Sequence, residues 1–173
     1  MGKKVKKTLA MRVLEGQRVP YEVIEFSSEI HDAAGVAQVA GVPPDHVYKT
    51  LVARVDEPGF KPMLVMIAAD ATLDLKKLAE AVGAKKARMA AHTEAEKLTG
   101  LQTGGISALA LLNRGFDVYI DEAAPALPFI IVSAGQRGLN LRLEPAALIE
   151  VTGAQIADVS KRSEESGESE GWS

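Results

Sequence analysis

The sequence predicts an α+β fold: a single domain built on a mixed, curved, barrel-like β-sheet flanked by short helices. Three observations lead there. Strand-like and helix-like segments are interspersed, and several strands follow one another in hairpin-like succession, which disfavours a doubly wound parallel sheet. With 173 residues, one domain with a sizeable core is the natural expectation. The apolar fraction of 47% and charged fraction of 25% are those of a globular chain. At 5% aromatic residues, the core must be built from Val, Leu, Ile, Ala and Met. The domain is expected over residues 1–160, with a disordered acidic Ser/Glu/Gly tail over 161–173.

Each element has its local reason. Val5, Leu9 and Val13 recur at i+4 and predict a helix over 3–15, with Gly16 as its stop. Tyr21 to Phe26 reads as a strand. Ala33 to Ala40 reads as a helix closed by Gly41. Pro43-Pro44-Asp45 turns the chain into a strand over Val47 to Val55, and Met63 to Ala69 is a buried strand. Thr72 is expected to cap a helix over Asp74 to Val82 that Gly83 ends. A short strand follows over Ala84 to Met89. Thr93 and Glu96 form a capping-box pattern for a helix ending near Gly100. Gly100 to Ala108 is a glycine-rich loop. Strands are expected at Val118 to Asp121, Phe129 to Ser133 and Leu139 to Leu143. Pro145 opens a last helix, and Ala154 to Val159 makes a final strand.

Charge and composition exclude several classes. There is no cysteine, so disulfides, thiolate metal sites and a cysteine nucleophile are absent. The longest apolar run, Met63 to Ala69, is far below the ~20 residues that span a bilayer. No apolar stretch follows the N-terminal lysines as in a signal peptide, so the expected location is the cytoplasm. The net charge of −3 excludes a globally basic surface. Lysines do cluster at 3–7 and at 76–88, so any nucleic-acid contact should be local, such as one end of an RNA.

The site is sought by elimination. Gly-x-Ser-x-Gly, Walker A and Gly-x-Gly-x-x-Gly patterns do not occur, and His31, His46 and His92 have no metal-ligand spacing. Asp70 and Asp74 flank a helix start, where acids suit the dipole. Lys49 stands out instead. Strand alternation puts it on the face of Val47, Leu51, Ala53 and Val55, with Arg54 on the other. A lysine there either lies on an edge strand with its ammonium in solvent, or lines a cavity that awaits an anionic substrate. Two loops supply further polar groups. Residues 99–108, with Gly104, Gly105, Ile106 and Ser107, can offer amides to a carbonyl or oxyanion. Residues 133–139, with Ser133, Gly135 and Arg137, offer a hydroxyl, a guanidinium and flexible backbone.

Five blocks in order resemble the YbaK/EbsC aminoacyl-tRNA deacylases, relatives of the editing insertion of bacterial prolyl-tRNA synthetases. They are Val47-Tyr48-Lys49-Thr50-Leu51, Leu73 to Leu78, Gly83 to Lys86, Gly104 to Ser107, and Val132 to Leu139. The resemblance runs over about residues 8–160. It implies a YbaK-like fold and hydrolysis of the ester of a mischarged tRNA, foremost proline tRNA carrying cysteine or another small amino acid. Attack would come from water or a substrate group, with no cofactor and no metal. Its implied partners are the aminoacyl-tRNA 3′ end and a prolyl-tRNA synthetase. Lys49 matches the family's essential lysine. Gly104 begins its Gly-x-x-x-Pro loop, with Gly105 beside it. Ser133 matches a pocket serine, and Phe26 stands where a tyrosine occurs. Three departures stand out: Ala108 replaces the loop proline, Asn140 replaces an aspartate, and the stretch between His31 and Lys49 is shorter than in the cysteine-clearing branch. Ala108 and Asn140 motivate the alternative of a weakened relative that binds a tRNA end, a nucleotide or a synthetase without hydrolysis.

Overall fold

The structure, a computed structural model, describes residues 6–30 and 32–162. Its order is α1 (Leu9–Gly16), β1 (Glu22–Glu25), α2 (Ala33–Ala40), β2 (Tyr48–Arg54), β3 (Met63–Ala68), β4 (Ala71–Leu73), α3 (Leu75–Val82), β5 (Arg88–Met89), α4 (His92–Thr99), β6 (Asp117–Asp121), β7 (Ile130–Gln136), β8 (Leu139–Leu143), α5 (Pro145–Thr152), β9 (Gln155–Ala157) and β10 (Ser160–Arg162). The mixed α+β expectation holds.

The sheet is not the barrel expected. Among the described residues the strands form a five-stranded sheet, β5-β2-β3-β6-β9, a three-stranded sheet, β1-β8-β7, and a β10-β4 pair. In the large sheet β2 is antiparallel to β3 and β5, while β3-β6 and β6-β9 are parallel. Closure would require β7 to pair along β2. Only one parallel bridge, Val47 with Ile131, joins them. Beyond that bridge the two sheets part.

The apolar runs explain the layers. Leu51, Val52, Leu64, Val65 and Ile67 are fully buried, as expected for strands covered on both faces. A second, smaller cluster packs α2 on the three-stranded sheet through Ala33, Val36, Ala37, Val47 and Ile131, with Phe26 and Phe129 at its margin.

Several predicted boundaries move, each for a physical reason. Helix α1 starts at Leu9 because the Thr8 hydroxyl accepts the Met11 amide, a cap worth ~1 kcal/mol; residues 1–5 lie outside the described chain. Thr72 is not a cap but the centre of β4. Asp74 takes that role, accepting the Lys76 and Lys77 amides at 3.1 Å. The strand expected over 84–89 shrinks to two residues opposite Ala53 and Arg54. The Thr93–Glu96 capping box does not form: α4 begins after Ala91 without a side-chain cap, and Glu96 instead accepts the Thr103 amide at 2.9 Å. Residues 161 and 162 are not tail but strand, paired with Thr72 and Ala71. The rest of the expected tail lies outside the described residues.

Two members of the mid-chain basic cluster are tied down. Arg88 bridges Asp56 and Glu94, and its guanidinium holds both carboxyls below their ordinary range. Lys77 pairs with Asp158 at 3.0 Å and donates to the Ser160 carbonyl.

Candidate active site

The gap between the two sheets holds a pocket lined by Ala33, Val36, Val47, Tyr48, Lys49, Thr50, Gly104, Ile106, Ser133 and Asn140. Its cavity is about 20 Å³, room for roughly one water molecule. Of the two options for Lys49, the ammonium in solvent fails: at that position β2 pairs with β3 alone, yet Lys49 is only 8% exposed. The lysine lines a cavity. The alternation that singled it out is less clean than expected, since both faces of β2 are buried.

The second wall comes from β7 and β8. Ser133 and Asn140 are direct cross-strand partners, so their side chains share a face. The Ser133 hydroxyl oxygen accepts the Gly135 amide at 3.1 Å, which leaves its own O–H to donate into the pocket. Asn140 is 7% exposed and neutral, so the wall opposite Lys49 carries no carboxylate.

The third wall is backbone. Gly104 and Ile106 border the cavity. Neither amide is engaged among the described residues. Gly105 is different: its amide already donates to the Gln102 carbonyl at 2.9 Å, and it does not line the cavity. A Cβ on Gly105 would sit 2.9 Å from the Arg137 nitrogen and 3.0 Å from the Gln136 carbonyl carbon. It is glycine because another backbone lies against it.

The remaining predicted site residues brace rather than line the pocket. Arg137 donates through Nε to the Thr103 carbonyl at 2.7 Å and so ties the second loop to the first. The Ser107 hydroxyl accepts the Ala110 amide at 3.3 Å, closing the turn over Leu109–Leu111. Gly135 has φ +108, where the β7-β8 register shifts. Phe26 lies at the edge of the smaller cluster, its amide donating to Gly138 at 2.7 Å. Gly138, at φ +83, would place a Cβ 2.8 Å from that same Phe26 carbonyl. Thus Lys49, Gly104, Ile106, Ser133 and Asn140 converge, while Phe26, Gly105, Ser107, Gly135 and Arg137 stand behind them.

Five lining residues were not anticipated: Ala33, Val36, Val47, Tyr48 and Thr50. The small apolar face of α2 was visible as a helix, but nothing in its pattern says which sheet it covers. Tyr48 has a buried hydroxyl with no hydrogen-bond partner among the described residues. Burial, then the carboxylates of Asp121, Asp45 and Asp70, push its ionisation upward. It therefore stays neutral.

Among the described residues no group of three His or acidic side chains is placed to hold a metal ion. No helix among them is long and apolar enough to cross a membrane.

Comparison with known proteins points one way. Residues 27–151 match the model of the aminoacyl-tRNA editing domain. A protein of Enterococcus faecalis named "Putative Cys-tRNA(Pro)/Cys-tRNA(Cys) deacylase EbsC" is 39% identical over 158 residues, covering 90% of this chain and 94% of its own. A solved structure described as "a putative trans-editing enzyme for prolyl tRNA synthetase" superposes with a TM-score of 0.75 at 29% identity, over 91% of this chain and 99% of its own. The crystal structure of a hypothetical protein superposes with a TM-score of 0.80 at 25% identity, over 88% and 99%.

Proposed function

The chain belongs to the aminoacyl-tRNA editing domain family, and from that premise we propose that its Lys49 pocket is where the ester of a mischarged tRNA is hydrolysed. It is an aminoacyl-tRNA deacylase. The observation that carries the site is that a buried lysine, two backbone segments with unengaged amides and a Ser–Asn pair line one cavity of about 20 Å³.

The chemistry follows from what an activated ester needs. Water attacks the carbonyl carbon, the bond to the ribose oxygen breaks, and that oxygen leaves as a hydroxyl with a proton from the water. Free amino acid and uncharged tRNA result. The carbonyl oxygen gains charge as the tetrahedral centre forms. Fixed donors aimed at it help most in a dry site. The Gly104 and Ile106 amides are suited to that task, and Lys49 to holding the anionic end of the tRNA. The Ser133 hydroxyl and Asn140 amide orient the amino acid. Orientation of this kind contributes much of the acceleration when no strong base is present.

With room for roughly one water, the cavity must widen to admit an aminoacyl group, and a small side chain demands the least widening. Ala33, Val36, Val47 and Ile106 give it apolar walls. A cysteine or alanine is the favoured substrate residue, carried on proline tRNA, one of the two tRNAs in the name of the Enterococcus relative. Discrimination between such residues is modest, ~1–3 kcal/mol per methylene. The terminal adenosine then lies at the mouth. Delivery by a prolyl-tRNA synthetase, and action in the cytoplasm, belong to the same proposal.

The test is deacylation of proline tRNA charged with cysteine, alanine, serine or proline, by wild type and Lys49→Ala. One non-cognate residue should be released preferentially, and the variant should lose ~10²- to 10³-fold in rate, the scale of one lost electrostatic stabiliser, while remaining folded. Full activity in Lys49→Ala would overturn the mechanism. No release of any of the four by folded wild type, with binding retained, would favour the non-hydrolytic binding module.

A further inference from the structure

A second hollow lies at the opposite end of the small sheet, and the mechanism above does not use it. It measures about 620 Å³ and is bordered by Arg18, Tyr21, Glu22, Phe129, Arg142 and Glu144, among others, a volume within the ~300–1,000 Å³ of ordinary ligand sites. At its floor the Arg142 guanidinium lies 3.6 Å from the centre of the Phe129 ring. The His46 ring packs on the same phenyl at 4.8 Å between centroids. No ion pair among the described residues joins Arg142 or Arg18 to Glu22 or Glu144, although Glu22 is the cross-strand partner of Arg142.

This hollow and the Lys49 pocket are built on one surface. Arg142 and Asn140 are two apart on β8, and Ile131 and Ser133 are their partners on β7. Alternation places all four side chains on one face of the sheet. Phe129 packs against the cluster of Ala33, Val36 and Val47, the three residues that also wall the pocket. His46 is three residues before Lys49. A strand of RNA whose last nucleotide reaches Lys49 has this stack as its next landing place.

The chemistry selects a nucleoside over a run of phosphates. Two arginines face two carboxylates, so the hollow has no excess positive charge to track a backbone. It does have a guanidinium seated over an aromatic ring. Arginine planes and aromatic rings are the surfaces on which unpaired RNA bases stack, and a 2′-hydroxyl can donate to a carboxylate. We propose that the Phe129–Arg142 stack binds an unpaired nucleotide of the tRNA 3′ end, upstream of the terminal adenosine, and sets affinity for tRNA rather than the rate of hydrolysis. This rests on the deacylase reading for its occupant, and its test separates the two.

The first measurement is binding of uncharged tRNA, intact or trimmed of its unpaired 3′ nucleotides, followed by fluorescence. Wild type should prefer intact tRNA, and Arg142→Ala should weaken intact binding by about tenfold, the low end of what one base stacking contributes, leaving the trimmed form unchanged. Phe129→Leu, which keeps the apolar packing, should act in the same direction. The second is steady-state turnover. Arg142→Ala should raise KM for charged tRNA with kcat held, and leave hydrolysis of a 3′-aminoacyl-adenosine within about twofold of wild type, as expected for lost ground-state binding. A wild-type preference for intact tRNA that persists undiminished in Arg142→Ala overturns the proposal, whatever the enzyme hydrolyses. A wild type that hydrolyses nothing but shows Arg142-dependent preference overturns the deacylase and keeps the nucleotide site.

Discussion

Residues 99–108 and residues 133–139 are both glycine-bearing turns, and they touch, yet they serve the pocket differently. The first puts main chain into it: Gly104 and Ile106 border the cavity with amides unengaged among the described residues. The second puts one side chain into it, Ser133, and spends the rest on support. Arg137 holds the Thr103 carbonyl, and the 136–137 peptide is the surface against which Gly105 is pressed. A loop that offers backbone to a substrate cannot fix itself through the same groups. Its rigidity has to be lent by a neighbour, which is why the two turns are in contact. Glycine in the first loop therefore marks closeness of another chain segment as much as freedom of φ.

Three substitutions would break or sharpen that division. Gly105→Ala should have the largest effect. Its methyl meets backbone, which cannot rotate away, so overpacking of ~1–3 kcal/mol is expected. For a chain of this size that lowers Tm by ~2–4 °C per kcal/mol, and turnover should fall with it because Gly104 and Ile106 are displaced. Thermal unfolding beside deacylation checks this; an unchanged Tm would mean the two turns are not in firm contact. Arg137→Ala comes next. It removes a charged donor from the Thr103 carbonyl at a partly buried place, costing ~1 kcal/mol. Combined with Gly105→Ala it should be less than additive, since both loosen one contact. Strict additivity of the two in Tm would show that they support the loop separately. The smallest effect is stabilising. Ala108 has φ −63, and its amide is unengaged among the described residues. Ala108→Pro should therefore fit and raise stability by ~0.4–1 kcal/mol through the unfolded chain, with turnover preserved. A loss of stability would show that the buried site has no room for the ring.

Ala108 also shows what the sequence could not say. Its replacement of the family's proline helped motivate the alternative of a weakened relative, but the backbone there already adopts the angle that proline would impose. Lys49 was legible because a charge on an apolar strand face is a local contradiction. Helix α2 was legible to its last residue because Asp32 caps one end and Gly41, at φ +70, the other. Strand β8 was likewise bounded by its own alternation. Apart from two helix caps, the failures are tertiary. Ser160-Lys161-Arg162 has no apolar pattern and becomes a strand only because β4 is there to pair with it. Glu96 left its capping box for an amide seven residues on. Arg137 and Gly105 looked like substrate contacts because their residue types suit that work, and nothing local indicates that they face each other.

The walls of the pocket are far apart along the chain, and this has a consequence in time. Strand β2 and its antiparallel partner β3 are both synthesised by Ala68, so the strand that carries Lys49 is complete early. Ser133 and Asn140 are made much later. At ~5–20 residues per second, the stretch from Lys49 to Asn140 occupies a ribosome for on the order of 5–20 seconds. Throughout that interval the growing polypeptide has its lysine but neither the Ser–Asn wall nor the turn that steadies Gly104. If the proposed site is where hydrolysis occurs, a nascent copy should be inert toward the charged tRNAs that are building it until the last hairpin of the small sheet has closed.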